Sequence, residues 1–289
     1  MRPTLARAIE RVSEHDVPAG PLAVRWRAYE VGRIRAGALA TARVALENAG
    51  TAPWPPDGPH RVCVSYHWLD ELGNPIVWDG LWTALPHRVE PGVAVETDLA
   101  VRAPIPPGRY RLAFDLVADE RYWLSELGNE RLEREVAVEP RIAARTLAVR
   151  GADHGALDGL DEPVVAEEDA EAIAHLGPGC VPAPDWSRRI LDAHEEGFAA
   201  VGGSVAASSG WLRRTPAALA PYAPGRGRVP GFEHPLLCAS VVRDVEAQWA
   251  EIEGLPALVS PADEPLLYDG RIGVRVTTRR WTTSGPAGT

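Results

Sequence analysis

Between Leu22 and Pro140 the chain repeats one pattern: a short run rich in β-formers, apolar at every second position, closed by Gly, Pro, Asn or Asp. The runs are LAVRWRAYEV, ALATARVALENAG, RVCVSYHWLD, NPIVWDGLWTAL, VAVETDLAVRAP, GRYRLAFDLVAD and RLEREVAVEP. A period of two sends alternate side chains to opposite faces of a strand, so each run buries one face and wets the other. In ATARVALEN, Ala42, Val44 and Leu46 face one way and Thr41, Arg43 and Ala45 the other. Likewise Tyr110, Leu112, Phe114 and Leu116 alternate with Arg109, Arg111, Ala113 and Asp115, entered through the turn Pro106, Pro107, Gly108. Runs in this number and spacing specify an antiparallel sandwich. A short helix is expected ahead of it, within residues 1–20, because Leu5, Ala8, Ile9 and Val12 fall at helical spacing before Pro18 and Gly20 stop the pattern.

At 289 residues the chain has room for two domains, each with its own core. A formal net charge of -10 disfavours nucleic acid and anionic membrane surfaces, both of which reward clustered positive charge. All 30 basic residues are Arg, which fits the codon usage of a GC-rich bacterial genome. Glu10, Arg11, Glu14, His15 and Asp16 interrupt what would be the apolar run of a signal peptide, so a cytoplasmic protein without membrane insertion is expected. Cys63, Cys180 and Cys238 are far apart and form no C-x-x-C pattern. They are expected to be buried thiols, with neither a disulfide framework nor a metal site, and no cofactor is implied.

The segments NAGTAPWP, VSYHWLDELGNPIVWDGLWTALP and VEPGVAVETDLAVRAPIPPGRYRLAFDLVADERYWLSELGN, in that order, resemble an immunoglobulin-like β-sandwich of bacterial polysaccharide gene products. The family these segments resemble is the C-terminal carbohydrate-binding domain of O-antigen ABC-transporter ATPases. The resemblance implies glycan recognition through aromatic side chains, whose faces pack on the C–H patches of sugar rings. The candidate glycan contacts are Trp54, Trp78, Trp82, Tyr122 and Trp123. Trp68 sits in an apolar strand as a core residue, and Trp54, Trp82 and Trp123 lie at turns, where exposure and burial both stay open. His67, beside Trp68, is expected on the opposite face as an ordinary surface or interface residue.

Beyond Pro140 the composition turns acidic and rich in Gly and Asp, the mark of a linker over 141–162. An α/β domain is expected over 163–280, followed by a disordered tail at 281–289. Its rhythm is a strand in AIAHLGPGCV, a helix capped by Asp185 and ended by Gly197, and a strand in FAAVGGSV. Such a unit ordinarily makes two neighbouring parallel strands. GCVPAPDWSRRILDAHEEGFAAVGGSV, residues 179–205, resembles a segment of family-2 glycosyltransferases of the GT-A fold. That family's Asp-x-Asp metal motif would stand just before it, where this chain has Leu176, Gly177, Pro178 and Gly179. The fold class expected is therefore an all-β immunoglobulin-like sandwich followed by a small, degenerate GT-A-like α/β domain.

Arg226 and Arg228, between glycines, are candidates for an anion-binding loop. A β-hairpin is expected to turn at Asp269 and Gly270. The pairs His194 with Glu195, Glu233 with His234, and Asp263 with Glu264 have no nucleophile or metal motif around them and are expected to be structural or solvated, so no catalytic residue is assigned. The expected function is a noncatalytic accessory or carbohydrate-binding protein of bacterial cell-surface polysaccharide synthesis, partnered by a glycan, a synthesis enzyme or a transporter. Two alternatives stand beside it: a transferase that uses a nucleotide sugar without the metal motif, and an assembly protein with an oligomer interface.

Overall fold

The computed structural model describes residues 9–118, 122–153, 155–177, 179–207, 226–229, 238–246, 248–252, 255–259 and 263–276. The chain divides into two units, at Glu139 and Pro140.

The first unit contains β1 (Glu10–Arg11), β2 (Val24–Val31), β3 (Ile34–Arg35), β4 (Leu39–Asn48), β5 (Val62–Leu69), β6 (Pro75–Val77), β7 (Thr83–Ala84), β8 (Ala94–Arg102), β9 (Gly108–Ala118), β10 (Tyr122–Trp123) and β11 (Leu132–Glu139). One sheet has the order β1-β2-β4-β8 and the other β3-β11-β9-β5-β6, with β10 on β9 and β7 on β5. The pairing is antiparallel except for β3 alongside β11. Val24, Ala42, Val44 and Leu46 from the first sheet join Val64, Tyr66, Trp68, Leu112, Phe114 and Leu116 from the second in one apolar core, so the unit is a two-sheet β-sandwich. Each such large side chain contributes roughly 1.5–3 kcal/mol through burial. The outer face of β4 is polar as its alternation requires, and Arg43 bridges directly across to Asp98 on β8 at 2.6 Å. That exposed pair adds little stability.

The leading helix is not seen where the chain is described. Residues 1–8 lie outside the described residues, and Glu10–Arg11 instead form an edge strand against Ala28 and Tyr29 of β2. Sheet pairing satisfies these backbone groups in a segment too short for a helix to be stable alone.

The second unit contains β12 (Leu147–Arg150), β13 (Ala172–Leu176), β14 (Cys180–Pro182), α1 (Trp186–Glu196), β15 (Ala200–Ala207), β16 (Arg226–Val229), β17 (Cys238–Val242), β18 (Gln248–Ile252), β19 (Leu255–Val259) and β20 (Leu266–Val276). The expected α/β domain is overturned: among the described residues this unit is mostly strand, with α1 as its α-helix. Its main sheet runs β12-β13-β17-β15-β20-β14, with β16 on β20, while β18 and β19 form a separate hairpin. No neighbouring parallel pair arises from the expected β–helix–β unit. α1 joins β14 to β15, which lie on either side of β20, and antiparallel β17 separates β13 from β15. β12 lies inside the expected linker and pairs with β13, so this stretch belongs to the sheet. The tail at 281–289 lies outside the described residues.

The expected hairpin at Asp269 and Gly270 is instead a bulge in one continuous strand. Gly203 of β15 lies opposite Asp269, and the next residue, Ser204, lies opposite Gly273. A Cβ on Gly203 would come within 1.9 Å of the Ile272 carbonyl oxygen, so the bulge demands glycine there.

α1 follows the capping signals. Asp185 precedes it and Gly197 ends it, although the Asp185 carboxylate accepts from Arg189 at 2.5 Å and caps no backbone amide. Trp186, Ile190 and Leu191 are buried, and His194 is sealed between the Phe198 carbonyl and the Ser240 hydroxyl, each at 2.8 Å. Burial lowers the His194 pKa to about 4, and burial lowers that of His175 on β13 to about 4 as well. Both are neutral when folded and take up a proton more readily when unfolded, so the stability they lend is complete above about pH 6.5 and drains as pH falls toward 4. His194 alone is expected to impose a slope of about 1.4 kcal/mol per pH unit across that window. Urea denaturation followed against pH checks this: His194→Gln should flatten the acid limb, and an unchanged limb would refute it.

Candidate functional site

β5 is buried on both faces along its whole length. Val62, Val64, Tyr66 and Trp68 point into the sandwich core, so Cys63, Ser65, His67 and Leu69 point to the other side of the sheet. On neighbouring β9, Ala113, Asp115 and Val117 share that outer side. Two segments cover it. Residues 78–82 leave the β5 edge between β6 and β7, and β10 runs on into a 3-10 turn at Leu124–Leu127. Gly80 makes the first cover possible: its amide donates to the Tyr66 carbonyl, and an added Cβ would stand 2.5 Å from that oxygen.

Under the cover lies a buried relay. The His67 imidazole is 0 % exposed, and its Nδ1 bonds the backbone carbonyl of Trp78. A carbonyl only accepts, so Nδ1 carries the proton and Nε2 faces Asp115 Oδ2 at 3.6 Å. The other Asp115 oxygen accepts from the amides of Leu116 at 2.7 Å and Ser125 at 3.3 Å. His67 thus holds one covering segment through the Trp78 carbonyl and Asp115 holds the other through the Ser125 amide, while His67 Nε2 and Asp115 Oδ2 face each other without a hydrogen bond. Ser65, directly opposite Asp115, has a buried hydroxyl with no hydrogen-bond partner.

Above the relay the Trp78 indole stacks on His67, centroids 4.2 Å apart and planes inclined by 20°, with Trp123 edge-on to both. Trp78 remains 41 % exposed and borders an open depression of about 710 Å³. Ser125, Glu126, Asn129, Glu130, Arg131, Glu133 and Arg134 complete its lining. The Arg131 guanidinium stands 5.7 Å from the Trp78 centroid and is held by Glu133 at 2.9 Å.

The five aromatic candidates separate accordingly. Trp78 and Tyr122 are exposed and lie on the two covering segments. Trp82 is half-buried, donating to Asp79 at 2.7 Å with Arg61 beside its ring. Trp54 is corrected to a core residue, fully buried and bridged to Val89. Trp123 is buried too, packed with Cys63 and Val117, and supports the cluster without offering a face to a ligand. His67 does face away from Trp68, but into the covered relay and not to solvent. Its signal was a lone polar pair, Ser65 and His67, inside the apolar run VCVSYHWL; buried polar groups in such a run need partners supplied from outside it.

The anion-loop reading of Arg226 and Arg228 is corrected in the same way. Both lie on β16, paired to β20. Arg226 is engaged by Glu196 and by buried Asp269, and both guanidinium groups pass near the Phe198 ring. The Arg226 charge is therefore already balanced by carboxylates. Glu264 pairs with buried Arg141 at 3.1 Å, while Glu233 and His234 lie outside the described residues. Cys63 and Cys180 are buried free thiols, and burial pushes the Cys180 pKa up to about 12. Among the described residues no cluster of His, Cys, Asp or Glu could hold a metal ion, and no helix is long and apolar enough to cross a membrane.

No family model and no curated protein matches the chain. Among solved structures it is similar to a family 123 glycoside hydrolase from Clostridium perfringens, at 12 % identity and a TM-score of 0.23, over 40 % of this chain and 24 % of that one. It is also similar to the Pseudomonas fluorescens alkylpurine DNA glycosylase AlkC bound to DNA containing an abasic site analog, at 16 % identity and a TM-score of 0.24, over 40 % of this chain and 30 % of that one. Similarities this slight carry no argument about fold or function.

Asp115→Ala removes the acceptor shared by the Leu116 and Ser125 amides and so frees the covering segment anchored at Ser125. A loss of about 2–4 kcal/mol is expected, measured as a lower urea midpoint together with altered tryptophan emission. A loss within error of zero would mean that the relay holds nothing.

Proposed function

We propose that the sandwich is a noncatalytic carbohydrate-binding module, and that the chain is an accessory protein of bacterial cell-surface polysaccharide synthesis whose glycan docks on Trp78. The observation that carries this reading is the exposed Trp78 indole, fixed from beneath by His67 and set at the rim of an open polar depression. A sugar ring gains from a flat aromatic surface already held in place, because less side-chain entropy is lost on binding. Ser125, Glu126 and Glu130 lie within the same depression as acceptors for sugar hydroxyls. Titration of the full chain with surface-glycan oligosaccharides tests the reading. Trp78→Ala should weaken binding at least about 10-fold, the scale of a lost aromatic contact, whereas Trp54→Phe, in the core, should leave affinity unchanged. Absence of binding to every glycan would overturn it.

A second reading, an interaction protein, draws on the same two segments. Ile76, Leu81, Tyr122 and Leu127 are large apolar side chains left exposed beside Trp78, and aliphatic exposure of this kind suits a protein partner. Under this reading light scattering should show self-association that the double change Leu81→Asp, Leu127→Glu abolishes. A concentration-independent monomer would remove self-association from consideration.

A further inference from the structure

The charges around Trp78 are not evenly available to a ligand. Glu126, Glu130 and Glu133 line the depression together with Arg131 and Arg134. Both guanidinium groups already have partners on the protein, and Arg131 also lies 5.7 Å from the Trp78 centroid. Arg131 is ion-paired to Glu133, and Arg134 donates to the Glu133 carbonyl at 2.6 Å while lying 4.4 Å from the Tyr29 centroid. Glu126 is exposed and accepts only the Trp123 amide, at 3.3 Å, and the exposed Glu130 side chain engages no partner among the described residues. Three carboxylates thus outnumber two guanidinium groups in the lining, and an arriving ligand meets the exposed acceptors of Glu126 and Glu130.

Resting on the glycan-binding reading, we infer that the Trp78 site selects uncharged, hydroxyl-bearing sugars and rejects acidic ones, with Glu126 and Glu130 setting that selectivity. Neutral sugars bring only hydroxyl donors, which the two carboxylates accept in charge-assisted hydrogen bonds. A uronate or other anionic sugar brings a like charge to the same few ångströms, in an open site where the repulsion is moderate and is screened by salt. Glutamine at either position keeps an acceptor oxygen, including one for the Trp123 amide, and removes the charge.

The test titrates the full chain with two oligosaccharides of equal length and linkage, one neutral and one with a hexuronic acid in place of a hexose, at low and at high salt. The neutral ligand should bind about 10-fold more tightly at low salt, the gap should narrow at high salt, and Glu126→Gln with Glu130→Gln should close most of it by raising affinity for the acidic ligand. Equal or tighter binding of the acidic sugar, still lost in Trp78→Ala, would overturn the selectivity while leaving the glycan site in place. Binding of neither ligand would overturn the site reading and the selectivity with it. A gap that the double variant leaves unchanged would deny Glu126 and Glu130 their assigned role.

Discussion

Strand β5 is buried on both faces, and the rest of the sandwich unit is arranged around that constraint. Its inner row feeds the common core through Val62, Val64, Tyr66 and Trp68. Its outer row carries Ser65 and His67, polar groups that cannot sit under apolar cover without cost unless they find partners. His67 finds one in the Trp78 carbonyl, and Asp115 beside it takes the Ser125 amide, so each pins one of the two loops that provide the cover. The exposed indole of Trp78 follows from this. It can be a fixed surface because its own backbone is anchored to a buried imidazole on which its ring also stacks.

How far the sequence could be read depended on whether a strand had one wet face. β4 and the inner row of β9 were legible from alternation, because Thr41 and Arg43 face solvent while Ala42, Val44 and Leu46 do not. In β5 alternation separates Trp68 from His67, but the outer row of VCVSYHWL mixes Ser65 and His67 with Cys63 and Leu69, and nothing local announces the cover that buries it. The burial of Trp54 and Trp123, which the sequence leaves open, has a related origin. They sit at strand ends and turns, positions usually exposed, but each fills a hole that long-range packing creates. Trp78 and Tyr122 are the exposed ones among the five aromatic candidates, but what holds Trp78 in place, a histidine eleven residues earlier in the chain, has no local signature.

In the second unit the local signals worked and the long-range ones did not. Asp185 and Gly197 bracket α1 because helix ends are decided by a few residues. Sheet order is decided by which strands meet after the chain returns, and β17, from Cys238, inserts between β13 and β15 with nothing in the intervening sequence to announce it. Arg226 shows the same division. Two arginines between glycines look available in a linear reading, but strand pairing sets Arg226 beside Asp269, whose carboxylate also receives Arg271.

Ser65, His67 and Asp115 have the composition of a hydrolytic triad, and the geometry shows why they do not form one. In a working triad the carboxylate takes the Nδ1 proton of the imidazole, leaving Nε2 to accept from the nucleophilic hydroxyl. Here Nδ1 is used by the Trp78 carbonyl, and the carboxylate faces Nε2, the atom that would have to serve as base. The Ser65 hydroxyl is fully buried beneath the aromatic cover, so no acyl or glycosyl group could reach it without the cover lifting, and lifting it would break the bond that orients the imidazole. His67 and Asp115 therefore act as fasteners of the surface above them, and Ser65 makes no hydrogen bond to it. The surface they hold is the outer side of Trp78, where the ring is exposed and the carboxylates of Glu126 and Glu130 meet solvent.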